Sequence, residues 1–184
     1  MDADTQTMFP PTEETLKDGR TVTIRPLQRA DGKRLGRFYA NLPRQASRYY
    51  WPHPLEYEYG PRNAAKADSP LEVVLLLGTP EGEIGGEAWY RWKDRNARSS
   101  SFGICIAEAY QGYGAGKALL KRLLAIADAG VGPRRMALTC QHANSGAVAL
   151  YQKMGFRIVK EGTVGARRGF PEEPQYWMER VCGP

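Results

Sequence analysis

Cysteine and histidine are scarce in this 184-residue chain, at three and two residues respectively. Cys105, Cys140 and Cys182 lack the paired spacing of zinc ligands, and the first two lie inside apolar runs, so reduced, buried thiols of a cytoplasmic protein are expected and no metal site. Long apolar runs are missing too. The longest candidate, Val73–Leu77, falls far short of the ~20 residues that cross a bilayer, so no membrane partner is expected. Met1–Glu14 has neither the basic nor the apolar block of a secretory signal. The chain also lacks internal repeats, low-complexity stretches and any long run of one charge. Its 26 Lys and Arg against 20 Asp and Glu are spread in short groups such as Lys33-Arg34 and Arg134-Arg135, which read as solvated surface. The resulting charge of +6 favours polyanionic partners without choosing among nucleic acid, a membrane surface and a phosphate-rich cofactor.

What is present suits one globular domain, since 42% of the residues are hydrophobic. A loose tail is expected over residues 1–16 and a single domain over 17–184. The Asp18-Gly19 turn precedes an alternating strand at Thr21–Arg25, closed by Pro26. Leu35, Phe38, Tyr39 and Leu42 recur at helical spacing after Asp31, a plausible N-cap, and Pro43 ends the pattern. Residues 44–68, rich in Pro, Tyr and Trp, read as irregular or partly helical. Strands follow at Glu72–Leu77, Ile84–Trp92 and Ser100–Ile106 in an antiparallel meander, then a helix whose apolar stripe runs from Leu119 to Ala127 and stops at Gly130. A strand at Met136–Cys140, a helix over Ser145–Met154 and strands at Phe156–Val159 and Gln175–Val181 complete a mixed α/β order.

The informative stretch is the strand Ile104-Cys105-Ile106, which runs through Gln111-Gly112-Tyr113-Gly114-Ala115-Gly116-Lys117 into the long helix. Alternate glycines let the main chain approach a ligand, and the helix start adds unpaired N–H donors and a positive dipole end, so a pyrophosphate is the natural occupant. A Walker loop is excluded, because Gln111 replaces its first glycine and Ala118 its magnesium-binding hydroxyl. A dinucleotide fingerprint is excluded as well, because its last glycine would fall on Lys117 or Leu119. A second pattern follows at Asn144-Ser145-Gly146-Ala147-Val148-Ala149-Leu150-Tyr151-Gln152-Lys153-Met154-Gly155-Phe156, where Asn144 could cap a helix that Gly155 ends.

The first stretch resembles the acetyl-CoA-binding signature of the GNAT superfamily of N-acyltransferases, Gln/Arg-x-x-Gly-x-Gly/Ala. The second resembles that family's Asn-x-x-Ala-x-x-Leu-Tyr-x-x-x-Gly-Phe, matched at Asn144, Ala147, Leu150, Tyr151, Gly155 and Phe156. The opening, with Asp18–Pro26, Phe38–Leu42 and Arg48, is similar to GNAT domains of bacterial protein-lysine acetyltransferases, although Pro43 and Gln45 depart from them. The resemblance implies a central, mostly antiparallel twisted sheet, flanked by helices and splayed at the strand before the glycine loop, with the pantetheine arm of acetyl-CoA in the gap. It implies that the amides of Gln111 to Gly116, with Lys117, bind the pyrophosphate, that Ile104–Ile106 holds the pantetheine and polarises the thioester, and that Asn144 hydrogen-bonds the pantetheine arm. Tyr151 stands where many members place the general acid that protonates the departing thiolate.

The general base is less legible. Family members that acetylate histones carry a glutamate on the strand before the loop, where this chain reads Ser99–Gly103. Glu87, on the strand Ile84–Trp92, and Glu108, at the strand exit, are the candidates. His53 and His142 are single histidines with no pattern around them. Tyr49, Tyr50, Trp51, Tyr57 and Tyr59 could line an amine pocket through cation–π attraction or form a satellite core. The leading reading is an acetyl-CoA-dependent N-acetyltransferase, monomer or homodimer, acting on a small amine or on a protein lysine or N-terminus. The alternatives are a non-catalytic coenzyme A-binding domain and, resting only on charge and aromatics, a nucleic-acid-binding module, for which no helix or RNP signature is present.

Overall fold

The computed structural model describes residues 9–183. Asp18-Gly19 turns the chain back on itself, so that β1 (Thr12–Thr15) pairs antiparallel with β2 (Thr21–Pro26), Thr12 opposite Ile24. This corrects the end of the expected tail. Threonine suits an extended chain, and Leu16, which follows β1, is buried in the core, so the segment from Thr12 belongs to the sheet. Residues 1–8 lie outside the described region.

Val22 and Ile24 of β2 point into the core, whereas Arg25 forms a two-pronged ion pair with Asp31, both contacts at 2.7 Å. Asp31 also accepts the Gln28 N–H at 2.9 Å, so its carboxylate turns back toward the strand and does not cap the next helix, as its position predicted. That helix, α1 (Gly32–Ala40), buries Leu35, Phe38 and Tyr39. The aromatic region beyond it contains two short helices, α2 (Ala46–Tyr49) and α3 (Tyr59–Ala64). Helices α1 and α3 cross with backbone against backbone: a Cβ on Gly60 would lie 2.1 Å from the Gly36 nitrogen.

Strands β3 (Glu72–Gly78), β4 (Ile84–Arg91) and β5 (Ser99–Ile106) form the expected meander. Helix α4 (Ala115–Asp128) then crosses over to β6 (Arg135–Gln141), which must therefore run parallel to β5. Helix α5 (Ser145–Lys153) leads into β7 (Arg157–Val164) and β8 (Glu173–Val181). The eight strands take the order β1-β2-β3-β4-β5-β6-β8-β7, antiparallel except at β5 and β6. Edge strand β7 is longer than the Phe156–Val159 segment predicted, because most of its residues are exposed and leave no apolar alternation to read.

Alternation along β4 sorts the two cores. Ala88 and Tyr90 join the cluster under α4, where Leu119, Leu120, Leu123, Leu124, Ile126 and Ala127 are all buried, and Trp89 joins Phe38, Tyr39 and Tyr50 on the opposite face. The sheet is therefore covered by α4 and α5 on one side and by α1 and α3 on the other. Strands β5 and β6 pair only from Ser99–Ser101 to Arg135–Ala137. Beyond Ser101 they part, and the gap between them positions the site.

Candidate active site

The glycine loop is shaped by its backbone. Gly112 and Gly114 have φ values of 79° and 98°, and a Cβ built on either would meet nothing within 4 Å, so open space faces the loop where its main chain takes a left-handed turn. Gly114 is the N-cap of α4, whose first turn presents N–H groups without intrahelical partners. Ala115 is buried as part of the core, and the Gln111 side chain donates to the Ile106 carbonyl at 2.8 Å, tying the loop to the end of β5. Tyr113 is exposed, and its carbonyl accepts the Lys17 N–H at 3.0 Å. Arg20 completes this clamp by donating to the Ala109 carbonyl at 2.6 Å while covering the Tyr110 ring. The N-terminal hairpin thus braces the loop.

Between the loop and α5 lies a cavity of about 680 Å³ lined by Gly112, Gly114, Gly116, Asn144, Ala147 and Leu150, with Lys17, Lys117 and Lys153 around it. Asn144 occupies the N-cap position of α5 but makes no capping hydrogen bond, and it lines this cavity. Three ammonium groups, a helix N-terminus and a loop with room for ligand atoms against its main chain fit a diphosphate-bearing cofactor. Lys17 and Lys153 were not among the expected site residues, because Lys17 belongs to the N-terminal hairpin and Lys153 falls at an unspecified position of the second pattern.

A second cavity, of about 530 Å³, fills the gap where β5 and β6 separate. Ile104 lines this one and Ile106 the first; Tyr151 of α5 lines this one and its neighbour Leu150 the first. The other edge of β5 remains paired with β4 as far as Ile106, so the open edge of residues 102–106 is held rigid. Tyr151 packs edge-on against Phe102, and burial raises its phenol pKa, with Cys140 and Cys105 adding to the shift. It is a protonated donor at neutral pH.

The opposite wall of the gap is aromatic: Tyr49, Tyr50, Trp51, Trp89 and Trp177. Its first three residues are pinned from three directions. Arg48 donates to the buried Glu173 of β8 at 2.6 Å, Gln141 of β6 donates to the Arg48 carbonyl at 2.9 Å, and Arg168 donates to the carbonyls of Tyr50 and Trp51 at 3.1 and 3.3 Å. Arg168 holds φ at 50°, left-handed geometry uncommon for a residue with a side chain, in a loop between β7 and β8 that folds onto this wall. Arg167 stacks on the Trp51 ring and is the one charged side chain lining this second cavity among the described residues. Burial, then the neighbouring Arg168, lowers its pKa, so an anion in the cleft would stabilise it. Nothing in the sequence brought Arg167 next to residue 51, because their contact depends on the β7–β8 loop.

Glu87 lies behind this wall, 1% exposed. Tyr39 and Tyr50 both donate to its Oε2, at 2.8 and 3.2 Å. Asn63 of α3 gives one amide hydrogen to the Tyr39 oxygen at 3.0 Å and the other to His53 Nε2 at 2.9 Å, and the Trp89 indole donates to the Tyr50 oxygen at 3.1 Å. The His53 Nδ1 lies 2.7 Å from the Pro54 carbonyl, which can only accept, while Nε2 accepts the Asn63 amide hydrogen; His53 is therefore neutral, with its proton on Nδ1. Burial lowers its pKa in agreement. His53 is a fixed part of the network, and Tyr59 stacks on its ring. Burial pushes the Glu87 carboxyl up to about 7, against the opposing effects of the tyrosine hydroxyls and Arg91.

The other candidates fall elsewhere. Glu108 is exposed on a 3-10 turn and lines a separate groove with Arg37, Phe38, Asn41 and Glu83. His142 stacks on Tyr176 and lines neither cavity of the cleft. Cys105, expected with Ile104 and Ile106 to hold the pantetheine, is buried on the Glu87 side of β5 and lines neither cavity.

Comparison with known proteins agrees with this geometry. The family model for the acetyltransferase (GNAT) family matches residues 37–156. The chain is 26% identical over 162 residues to the L-amino acid N-acetyltransferase AaaT of Escherichia coli strain K12, covering 87% of this chain and 98% of that one. The crystal structure of a GNAT-family acetyltransferase from Streptococcus pneumoniae is similar at 27% identity and a TM-score of 0.70, with 88% of this chain and 99% of that one covered. The Salmonella typhimurium structure of yncA with its cofactor acetyl-CoA shares the fold at 20% identity and a TM-score of 0.72, over 87% of this chain and 93% of that one. With the splayed sheet, the glycine loop and the aligned family model in agreement, this chain belongs to the GNAT family and is an acetyltransferase that uses acetyl-CoA.

Proposed function

We propose that the chain, as one catalytic domain that includes the hairpin from Thr12, acetylates the primary amine of a small acceptor that also carries a carboxylate, an α-amino acid or a close analogue. The observation that carries this reading is the charge of the cleft: one guanidinium, Arg167, and no lining carboxylate among the described residues. A polyamine would bring several positive charges to that wall, whereas an amino acid brings the anion that Arg167 can hold in a two-pronged contact. The name of the Escherichia coli relative points to the same substrate class.

Acetyl-CoA supplies an acetyl group already activated as a thioester. In this reading the amides of Gln111 to Gly116 and the start of α4, aided by Lys117, Lys17 and Lys153, bind its diphosphate. Asn144 holds the pantetheine arm. The open edge of Ile104, Cys105 and Ile106 fixes the thioester and places main-chain donors where negative charge develops on its oxygen, a contribution of several kcal/mol in comparable sites. Glu87 takes the proton lost by the attacking amine, and Tyr151 supplies the proton taken by the departing sulfur. Burial raises the pKa of Tyr151 and so keeps it in the protonated form that can donate.

Release of free thiol from acetyl-CoA, measured across a panel of amines, tests the proposal. Free α-amino acids are expected to turn over, with their methyl esters and decarboxylated counterparts at least about tenfold slower, as the loss of a charged hydrogen-bonded contact predicts. Arg167→Ala is expected to raise the KM for the amino acid about tenfold and leave that for acetyl-CoA unchanged. Preference for spermidine over every amino acid would overturn this acceptor class, and saturable acetyl-CoA binding without turnover of any amine would leave a coenzyme A-binding domain.

A further inference from the structure

We infer that Tyr50 is a catalytic proton relay, passing the proton of the acceptor amine from the cleft to the buried Glu87. This rests on Glu87 being the base, and it answers a question that assignment raises. Glu87 is 1% exposed and is not among the residues lining the cleft, so an amine there does not reach its carboxylate directly. Tyr50 is bonded to Glu87 and also lines the cleft.

The hydroxyl hydrogens of Tyr39 and Tyr50 take their direction from their partners, since the His53 Nε2, 3.5 Å from the Tyr50 oxygen, is already engaged by the Asn63 amide. Asn63 nitrogen and Trp89 indole nitrogen can only donate, and the two phenols they reach therefore accept, leaving each hydroxyl hydrogen for Glu87 Oε2. The network is built to converge on a carboxylate anion. Tyr39 and Tyr50 are alike in this respect, but Tyr39 is fully buried, bonded to Asn63 of α3, and does not line the cleft. Among the described residues, Tyr50 alone both bonds Glu87 and lines the cleft.

The step balances as follows. As the amine nitrogen bonds to the acetyl carbon, one N–H bond breaks and its proton passes to the Tyr50 oxygen, while the Tyr50 hydroxyl proton passes to Glu87 Oε2. The C–S bond breaks and the sulfur takes a proton from Tyr151. Glu87 then returns its proton through Tyr50 to solvent, and Tyr151 regains one from solvent, so no net proton is gained by the protein. The titratable and charged groups facing this carboxylate are Tyr39 from α1, Tyr50 and His53 from the segment between α2 and α3, Cys105 from β5, Glu72 from β3 and Arg91 from β4 itself.

The test compares Tyr50→Phe, Tyr39→Phe and Glu87→Gln with the full-length wild-type protein, using as acceptor the amino acid turned over fastest in the panel above. Rates are followed from pH 5.5 to 9.5, in water and in deuterium oxide mixtures. Tyr50→Phe is expected to lower kcat about 100-fold even at the high-pH plateau, with the KM for acetyl-CoA unchanged. Tyr39→Phe, which removes a hydrogen bond from Glu87 but no relay atom, is expected to shift the rising limb to higher pH and to reach a plateau within about threefold of wild type. The dependence of the wild-type rate on deuterium fraction is expected to curve, and that of Tyr50→Phe to curve less, because the relay adds one moving proton to those of the amine and Tyr151. Thermal stabilisation by acetyl-CoA monitors folding of each variant. If Glu87→Gln is impaired while Tyr50→Phe follows the wild-type profile, the relay is wrong and Glu87 receives its proton another way. If Glu87→Gln keeps the wild-type rate, the base assignment fails and the relay with it.

Discussion

The two halves of the site are built from different materials. The half that fits acetyl-CoA is a main-chain device: two left-handed glycines, a helix N-terminus and the open edge of β5, with lysines at the periphery. The proposed acceptor half is a side-chain device, in which residues from α1, α3, β4, β6, β8 and two loops meet around Tyr50, Trp51 and Glu87. A main-chain site tolerates almost any side chain that leaves the backbone geometry intact. A side-chain site fails when one hydroxyl or carboxylate is removed.

Glu87→Gln should give the largest effect. Losing a positioned base costs about 10²-fold or more in kcat, measured by thiol release, and the wild-type rate should rise with pH through about 7, where this carboxyl ionises. Stability should move the other way. Because the folded-state pKa is raised from 4.5 to about 7, the protonated form favours folding, and that contribution, at most about 3 kcal/mol, is complete below pH 4.5 and lost as pH rises through 7. Melting temperatures recorded from pH 4.5 to 8 should therefore fall more in wild type than in Glu87→Gln, and the variant should be the more stable at pH 8. A site that trades stability for a base at its working pH would show this crossing.

Gly114→Ala sharpens the comparison from the main-chain side. The new Cβ meets nothing, so any effect comes from forcing a side chain into φ 98°. A cost of about 1–2 kcal/mol is expected, taken from stability or from loop geometry, with the Kd for acetyl-CoA by calorimetry weakened up to about tenfold and the KM for the acceptor unchanged. Equal damage to both substrates would mean that the halves are not separable.

Lys17→Ala should be smallest. One exposed ammonium facing a diphosphate contributes little at physiological salt, so a twofold to fivefold weaker Kd is expected, shrinking further as salt is raised. No change at low salt would place the hairpin in a bracing role only, through the Lys17 N–H and Arg20 contacts that the substitution leaves in place.

The contrast between the halves also explains what could be read in advance. Gln111–Gly116 and Asn144–Phe156 were legible because a loop and a helix cap are local: the residues that make them are neighbours in the chain, and their glycines, caps and apolar spacing follow from backbone geometry. The strands from Glu72 to Ile106 and the stripe of α4 were legible for the same reason, since alternation and helical periodicity are local consequences of burial. Edge strand β7, exposed along most of its length, carried no such pattern, and β1 was hidden in a polar segment.

The sequence by itself determined the glycine loop, the helices and the alternating strands, because each depends on contacts within a few residues. Only the tertiary structure decided which carboxylate stands behind the cleft, that Tyr50 is bonded to it and lines that cleft, and that Arg167 stacks on Trp51 in the cleft wall, because those pairings span from 37 to over a hundred residues and depend on where β4, α3 and the β7–β8 loop come to rest. Glu87 and Glu108 looked alike as letters. Burial among tyrosines separated them, and burial is a property of the folded chain.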